Sequence, residues 1–247
     1  MKKVYFASDF HLGYPSNAES AEREKRIVAW LTCIQPTCKE LYLLGDVFDF
    51  WFEYKWVVPK GYVRFLAKLA EFVDAGIPVY MFEGNHDQWL FGYLHEEIGV
   101  TICKTAQERE WNGKRFFLHH GHALGKYDKG MNFLHWVFTR RVLQKMFSWL
   151  HPDLAFAFAH AWSKRNRKAK KYESEHYMGD DKEWLLQFSL EELKKRHVDY
   201  FVFGHRHVPL NKELPNNARY INVGNWITRS TYAYFDGNEV VLKEFEL

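Results

Sequence analysis

The chain has 247 residues, 47% of them hydrophobic and 18% aromatic, which is enough for one large domain with a substantial core. Its formal charge of +3 favours anionic partners only weakly and is too small for a dedicated nucleic-acid coat protein, so nucleic acid is not the expected partner, although it is not excluded. Three cysteines without a CxxC pair, no signal-peptide core and no membrane-spanning apolar run indicate a soluble cytoplasmic protein.

The first part of the chain alternates short apolar runs with amphipathic stretches. Strands are predicted for Val4 to Ala7, Leu41 to Leu44 and Val79 to Phe82, and helices for Glu19 to Leu31 and Tyr62 to Val73. This alternation predicts a largely parallel sheet that is covered by helices. In such sheets the functional side chains gather at the carboxyl ends of the strands.

The later part of the chain has the pattern of a second sheet. Strand-like runs cover Phe116 to Leu118 and Tyr200 to Phe203. Asn112-Gly113 and Asp236-Gly237 each separate two apolar runs, which is typical of β-hairpins. We therefore expect an α/β fold in which two sheets form a sandwich flanked by helices.

No repeat, low-complexity tract or linker divides the chain, so residues 1–247 are predicted to form a single domain. Its chief interruption is a helical insertion from Met131 to Arg196, in which residues 139–171 carry nine basic side chains against one acid, Asp153. Leu154, Phe158 and Trp162 recur there at helical spacing. In one interpretation these three side chains line an apolar slot, and the nearby Lys and Arg side chains bind anionic groups. In the other, the three side chains belong to the core, and the Lys and Arg side chains form a solvated surface.

Polar clusters follow the predicted strands at the point where each strand ends. They contain these residues: Asp9, His11, Asp46, Asn85, His86, Asp87, His119, His120, His205 and His207. Carboxylates, amide carbonyls and imidazoles bind divalent ions, and a pair of such ions activates water while holding the oxygens of a phosphorus centre. The combination of clusters therefore predicts a metal-dependent phosphoesterase.

Each cluster taken alone has a simpler interpretation. An isolated Asp-x-His or His-x-His pair is often a turn or a surface feature. Asp87 is a candidate N-cap for a helix over Gln88 to Glu97, and it is also placed to orient an imidazole. Only one of His119 and His120 can point into the site, and His120, directly before Gly121, is preferred.

The order DxH, GD, GNHD, HGH and GHxH resembles the calcineurin-like metallophosphoesterase superfamily from Asp9 to His207. The resemblance implies a four-layer sandwich of two mixed β-sheets flanked by helices. It also implies two divalent metal ions, which are expected to be manganese, with iron or zinc as alternatives. The residues implied for one ion are Asp9, His11, Asp46 and His207. The residues implied for the other ion are Asp46, Asn85, His120 and His205. The resemblance implies that Asp46 bridges the ions, while His86 is a non-ligand acid or phosphate contact that acts with Asn85 on the pentacoordinate phosphorus.

A narrower resemblance involves residues 44–51 and 84–89, the run His119-His120-Gly121 and the downstream Asp128. These segments are similar to the UDP-2,3-diacylglucosamine diphosphatase family of lipid A synthesis, in versions from Bacteroidetes-type bacteria. That family splits the pyrophosphate of UDP-2,3-diacylglucosamine into UMP and 2,3-diacylglucosamine 1-phosphate. The resemblance implies a peripheral protein on the cytoplasmic face of the inner membrane, with the insertion as a lid over the acyl chains. No obligate protein partner is inferred.

The narrower resemblance also implies polar contacts to the substrate. They are expected at Asp128, Ser163, Asn166 and Arg167. The chain departs from the family's pattern in three places. His122 replaces an Asp, Met131 replaces a Tyr, and His86 replaces an Arg while matching the broader superfamily.

Two other functions fit the same motifs. A nuclease or nucleotide phosphodiesterase would use the basic insertion to hold a nucleic-acid backbone, with an affinity that falls steeply with salt. A non-catalytic scaffold of the same fold would keep the domain for partner binding. Such scaffolds tend to lose ligand residues, whereas every expected ligand is present in this chain.

Overall fold

The computed structural model describes residues 2–125 and 129–246, with the side chains of residues 129, 131 and 166–175 outside the description. The strands are, in chain order, β1 Lys3–Ala7, β2 Cys38–Leu43, β3 Val79–Phe82, β4 Thr101–Cys103, β5 Gln107–Trp111, β6 Lys114–Leu118, β7 Tyr200–Phe203, β8 Leu210–Glu213, β9 Arg219–Asn222, β10 Thr231–Phe235 and β11 Val240–Glu244. The first sheet has the order β11-β10-β1-β2-β3-β4, with β1 to β4 parallel and β10 antiparallel to both neighbours. The second has the order β5-β6-β7-β9-β8, with parallel central strands and antiparallel edges.

Helices lie outside the two sheets. Their bounds are α1 Asn17–Ile34, α2 Val63–Asp74, α3 Lys129–Phe138, α4 Arg141–Phe147, α5 Pro152–Glu175 and α6 Trp184–Leu193. Ser16 caps α1, because its side-chain oxygen accepts a hydrogen bond from the backbone N–H of Glu19 at 3.3 Å. The two helices predicted from the sequence thus correspond to α1, which is longer than predicted at both ends, and to α2, which is shifted by one residue.

Three buried clusters separate four layers. The first cluster, which includes Trp30, lies between the first sheet and the helices α1 and α2. The second joins the two sheets and includes Phe6 and Phe116. The third, with Leu185 and Phe201, lies between the second sheet and α6. The predicted sandwich of two mixed sheets flanked by helices is therefore confirmed.

Strand β1 shows how the apolar runs build these layers. Val4 and Phe6 belong to the cluster between the sheets, whereas Tyr5 and Ala7 belong to the cluster under α1 and α2. Successive side chains of a strand point to opposite faces. A run that is apolar at every position therefore fits a strand that is buried on both faces.

Both predicted hairpins are present. Asn112 and Gly113 have φ angles of 50° and 73°, and they form a two-residue turn between β5 and β6. Left-handed conformations at both central residues are the reason that Asn-Gly is favoured in such turns. In the β10–β11 turn, the carboxylate of Asp236 accepts hydrogen bonds from the backbone N–H groups of Asn238 and Glu239 at 2.8 and 3.0 Å.

Between β6 and β7 the four helices α3 to α6 cover most of the predicted helical stretch, with short connections between them. Leu154, Phe158 and Trp162 on α5 are 67%, 61% and 48% exposed, so the interpretation of this stripe as core packing is wrong. Helix α6 differs from α5, because it packs on the second sheet. Within the described ranges, no helix combines the length and the hydropathy needed to cross a bilayer.

The interpretation of Asp87 as a helix N-cap is wrong. Between Gln88 and Glu97 the described chain has no α-helix, and a single π-helical turn covers Leu94–Ile98. The fully buried carboxylate of Asp87 accepts four backbone hydrogen bonds instead. The N–H donors are Asp46 at 3.2 Å, Val47 at 2.8 Å, Phe48 at 3.2 Å and Gly84 at 2.8 Å. Asp87 thus joins the loop after β2 to the loop after β3.

We expect Asp87→Ala to lower the free energy of unfolding by about 3 kcal/mol or more, because several buried N–H groups lose their acceptor. Urea denaturation of metal-free protein measures this loss. Asp236→Ala is the control. Asp236 accepts hydrogen bonds from two backbone N–H groups, but it does so in a hairpin that is exposed to solvent. A loss for Asp87→Ala no larger than the control's would contradict the prediction.

Candidate metal centre

The seven predicted metal ligands come together where the carboxyl ends of the two sheets meet. Backbone hydrogen bonds join the loops that carry them. The N–H of Asp9 donates to the carbonyl of Gly45 at 3.1 Å, and the N–H of His11 donates to that of Asp46 at 3.0 Å. The N–H of His205 donates to Asp9 Oδ2 at 2.9 Å, which connects the second sheet to the first.

A first group consists of Asp9, His11, Asp46 and His207. One nitrogen or oxygen from each residue lies within 4.8 Å of all the others. His207 Nε2 is 3.0 Å from Asp9 Oδ1 and 3.2 Å from His11 Nε2. His11 Nε2 is 3.7 Å from Asp46 Oδ2. Two carboxylates and two imidazoles at this spacing match the donor set that first-row divalent ions accept.

A second group shares Asp46 with the first and adds His120, His205 and Asn85. Ring nitrogens of the two histidines and a carboxylate oxygen of Asp46 again lie within 4.8 Å of one another. Asn85 Oδ1 is 2.8 Å from His205 Nδ1 and 3.2 Å from His120 Nε2. Asp46 is therefore placed to contact cations in both groups.

Hydrogen bonds to backbone carbonyls fix the tautomers of two imidazoles. His120 Nδ1 lies 2.7 Å from the carbonyl of Leu44, and His86 Nδ1 lies 3.0 Å from that of Asp49. A carbonyl oxygen can only accept, so Nδ1 donates in both rings. When His120 is neutral, its lone pair therefore lies on Nε2, beside the second group. In His86 the ring nitrogen that does not face Asp49 is Nε2.

The two carboxyl groups among the candidate ligands, Asp9 and Asp46, both have lowered pKa values. Burial raises the pKa of Asp9, but the imidazoles of His207 and His11 outweigh this and hold that pKa well below its ordinary value. The pKa of Asp46 is likewise lowered, because the imidazoles of His120 and His86 outweigh the effect of burial. Within the described chain, the buried Asp9 Oδ1 has no well-oriented hydrogen bond. An ionised, unsatisfied oxygen facing imidazoles fits a bound cation.

Unusual backbone conformations are concentrated at this centre. The φ angles are positive at five of the seven ligand candidates: Asp9 (57°), His11 (44°), Asp46 (51°), His205 (68°) and His207 (56°). Two neighbouring positions require glycine, because side-chain atoms of the candidate ligands lie too close for a Cβ. A Cβ on Gly84 would lie 2.2 Å from Asp46 Oδ1, and one on Gly204 would lie 2.6 Å from Asp9 Oδ2.

Asp49 was missed by the sequence analysis, although it stands three residues after Asp46 in the same loop. Its carboxylate is buried, and Oδ1 lies 3.7 Å from the Nδ1 atoms of both His11 and His86. The hydroxyl of Ser163 on α5 donates to the same oxygen at 3.0 Å, and His160 Nδ1 is 3.7 Å from Oδ2. Asp49 therefore connects α5 to two imidazoles of the site.

The structure treats the four predicted substrate contacts differently. Ser163 is buried and its hydroxyl is engaged by Asp49 rather than directed into either ligand group. Asp128 and the side chains of Asn166 and Arg167 lie outside the described residues. The side chain of Met131, one of the departures from the narrower family, also lies outside them.

His119 and His122 lie behind the second group. The N–H of Gly121 donates to His119 Nδ1 at 3.0 Å, so the preference for His120 as the inward-pointing residue agrees with this arrangement. His122 is buried, with ring centroids 5.3 Å from His120 and 5.2 Å from His135. The histidine that departs from the family pattern thus supports a candidate ligand from outside the two groups.

A cavity of about 340 Å³ opens beside Asp49, between the start of α1 and the helix α5. It is lined by Gly13, Tyr14, Pro15, Ser16, Asn17, Asp49, His160, Ala161 and Lys164. Most of these residues offer polar groups, and Asp49 also contacts His11 and His86. The cavity therefore adjoins the metal centre.

Comparison with known proteins agrees with this geometry. The family model described as calcineurin-like phosphoesterase matches residues 2–209. A UDP-2,3-diacylglucosamine hydrolase of Porphyromonas gingivalis is 35% identical over 99% of this chain and 98% of its own length. A protein of the same name from Haemophilus influenzae is 26% identical over 94% of this chain and 93% of its own. Among solved structures, Yfce, a phosphoesterase from E. coli, has a TM-score of 0.46 at 16% identity, covering 96% of this chain and 90% of that chain.

The family model spans more than half of the chain, and the Porphyromonas relative spans nearly all of it. The motifs from Asp9 to His207 fall inside the matched residues. The protein is therefore a member of the calcineurin-like phosphoesterase family.

Proposed function

We propose that the protein hydrolyses the pyrophosphate bond of UDP-2,3-diacylglucosamine, a reaction of lipid A synthesis, and releases UMP and 2,3-diacylglucosamine 1-phosphate. One observation carries this proposal. The Porphyromonas relative, which is named UDP-2,3-diacylglucosamine hydrolase, is 35% identical over 99% of this chain. The presence of both ligand groups is consistent with a catalytic member of the family rather than a scaffold.

The proposal includes two divalent cations. Asp9, His11 and His207 would hold one of them, and Asn85, His120 and His205 the other, with Asp46 between the two. Manganese is the metal we expect, with iron or zinc as alternatives, because all three accept carboxylate and imidazole ligands. When bound, such a pair supplies Lewis-acid activation of water and of the phosphoryl oxygens.

Protein side chains would do the remaining work. His86 is only partly buried, and its Nε2 would contact a phosphoryl oxygen or protonate the departing group. Asn85 would assist in stabilising the charge on the pentacoordinate phosphorus. Asp49, through its backbone carbonyl and its carboxylate, would keep the His86 ring in its productive orientation.

Residues 1–247 would act as one domain, with residues 131–196 as an insertion whose helices cover the site. Aromatic contacts attach these helices to the core. The ring of Phe156 is 4.9 Å from Phe50, and the ring of Phe147 is 4.9 Å from Phe52 and 4.7 Å from Trp89. The sugar and phosphate of the substrate would bind between α5 and the metal centre. Ser163 would then position α5, and Asp128, Asn166 and Arg167 would supply direct contacts.

The exposed side of the insertion suits a membrane surface. Trp149, Leu154 and Phe158 are 77%, 67% and 61% exposed, although all three are apolar. Arg141 and Lys145 lie on the neighbouring helix α4. Apolar side chains beside cations favour binding to an anionic lipid interface. We therefore place the enzyme at the cytoplasmic face of the inner membrane, where a diacylated substrate resides.

The decisive experiment supplies manganese-loaded protein with UDP-2,3-diacylglucosamine and measures UMP by mass spectrometry. We expect UMP release, with no comparable cleavage of single-stranded DNA. Cleavage of DNA without UMP release would favour the nuclease alternative. Inactivity on bis-p-nitrophenyl phosphate together with absence of bound metal would favour a scaffold.

Two substitutions distinguish the metal-binding role of Asp46 from the acid role of His86. Asp46→Ala should abolish both turnover and loading of the two metals, since Asp46 belongs to both groups. His86→Ala should lower kcat by about 10²- to 10⁴-fold while both metals stay bound. Elemental analysis of the purified variants, combined with kinetics, measures both effects. Loss of metal in His86→Ala would contradict the role given to that residue.

Membrane binding is tested by flotation with vesicles of phosphatidylethanolamine and phosphatidylglycerol. Replacing Trp149, Leu154 and Phe158 together by Ser should lower the partition coefficient by about tenfold or more, because three apolar side chains no longer enter the interface. Val63→Ser is the control, since Val63 is 72% exposed on α2. An equal effect of the control would argue against a specific docking face.

A further inference from the structure

Arg206 forms a buried ion pair with Glu183. Arg206 Nε donates to Glu183 Oε2 at 2.8 Å, and Nη2 donates to Oε1 at 2.7 Å. The side chains are 14% and 3% exposed, so water competes little with these bonds. A guanidinium and a carboxylate joined by two parallel bonds fix each other's orientation as well as their separation.

The position of Arg206 in the chain gives this ion pair its importance. Arg206 separates two candidate metal ligands, His205 and His207, whose φ angles are 68° and 56°. Non-glycine residues keep such conformations only where their surroundings enforce them. His205 belongs to the second ligand group and His207 to the first, so one loop serves both.

The loop is held at three other points. The N–H of His205 donates to Asp9 Oδ2 at 2.9 Å, and the N–H of Arg206 donates to the carbonyl of Gly204 at 2.8 Å. The side-chain amide of Asn225 donates to the carbonyl of His207 at 2.8 Å. These bonds fix the backbone of the loop, whereas the Arg206 side chain connects it to a different layer of the fold.

That layer is α6, whose first residues approach the centre in two further contacts. The ring of Trp184 lies 5.8 Å from that of His205 at an interplanar angle of 74°. Leu185 Cδ1 is 3.0 Å from the place where a Cβ on Gly121 would stand. Glu183 itself is fixed, because its N–H donates to the carbonyl of Gly179 at 3.1 Å. The start of α6 therefore packs beside residues of both ligand-bearing loops.

We propose that Glu183 is a positioning residue, which holds His205 and His207 in ligand-presenting geometry through its ion pair with Arg206. This inference rests on the metal centre of the proposed function. Neither Glu183 nor Arg206 belongs to the ligand groups, so the pair acts through the loop. A helix of the predicted insertion thereby takes part in organising both metal sites.

The test measures Mn²⁺ binding to metal-stripped protein. The electron paramagnetic resonance signal of free Mn²⁺ reports how much of the ion stays unbound. Glu183→Gln keeps the shape of the side chain but removes its charge. We expect both Mn²⁺ ions to bind about tenfold or more weakly, as is usual when a residue that orients metal ligands is lost. The wild-type chain is titrated first. If the wild-type chain binds no Mn²⁺, the proposed metal centre is contradicted. If wild type and variant bind Mn²⁺ equally, only the positioning role of Glu183 is contradicted.

A double variant separates positioning from folding. Glu183→Gln removes the carboxylate that faces the Arg206 cation in a poorly solvated place, so we expect the melting temperature of the variant to fall. Glu183→Gln combined with Arg206→Gln removes that cation, and we expect the melting temperature to recover while Mn²⁺ affinity stays low. Recovery of both quantities in the double variant would overturn the proposal.

Glu213→Gln is the matched control. Glu213 forms an ion pair with Arg219 at 3.2 Å on the second sheet, but the side chain of Glu213 is 83% exposed. We expect its Mn²⁺ affinity to stay within about twofold of wild type, because exposed pairs contribute little. Wild-type affinity in folded Glu183→Gln would equally refute the positioning role.

Discussion

Hydrogen bonds between strand-end loops hold the site residues in conformations that isolated loops would not keep. Five of the seven candidate ligands have φ angles between 44° and 68°, and such conformations cost about 1 to 3 kcal/mol each. Each loop is held by a loop from another strand, as when Asp9 bonds to Gly45 and His205 bonds to Asp9. The geometry of the centre therefore depends on the correct pairing of both sheets rather than on any one motif.

The same constraint brings like groups unusually close together. The Nε2 atoms of His11 and His207 are 3.2 Å apart, and Asp9 and Asp46 are both buried and ionised beside them. Carboxylates at low exposure are costly unless positive charge balances them. A pair of divalent cations would provide that charge, and metal binding would then stabilise the folded chain.

Features that depend on local pattern were predictable from the sequence. Alternation and apolar runs identified the layers, because side-chain periodicity is set by the backbone, and Asn112-Gly113 identified a hairpin by its dihedral preference. Apart from the metal ligands, which the strand-end motifs brought together, contacts between distant segments were not predictable. Asp87 has the local pattern of a helix cap, yet it binds backbone groups 39 to 41 residues away. Asp49 and Glu183 gain their roles only from partners brought near by the tertiary fold.

The bond from Ser163 to Asp49 links α5 to the loop that carries Asp46. Any displacement of α5 at this point must break or remake a buried bond to the carboxylate that neighbours His11 and His86. Linked equilibria are reciprocal. A ligand that favours the docked helix would therefore also favour the ordered imidazoles, by at most the coupling free energy that this bond supplies. Substrate capture and preparation of the reactive groups would then be thermodynamically coupled.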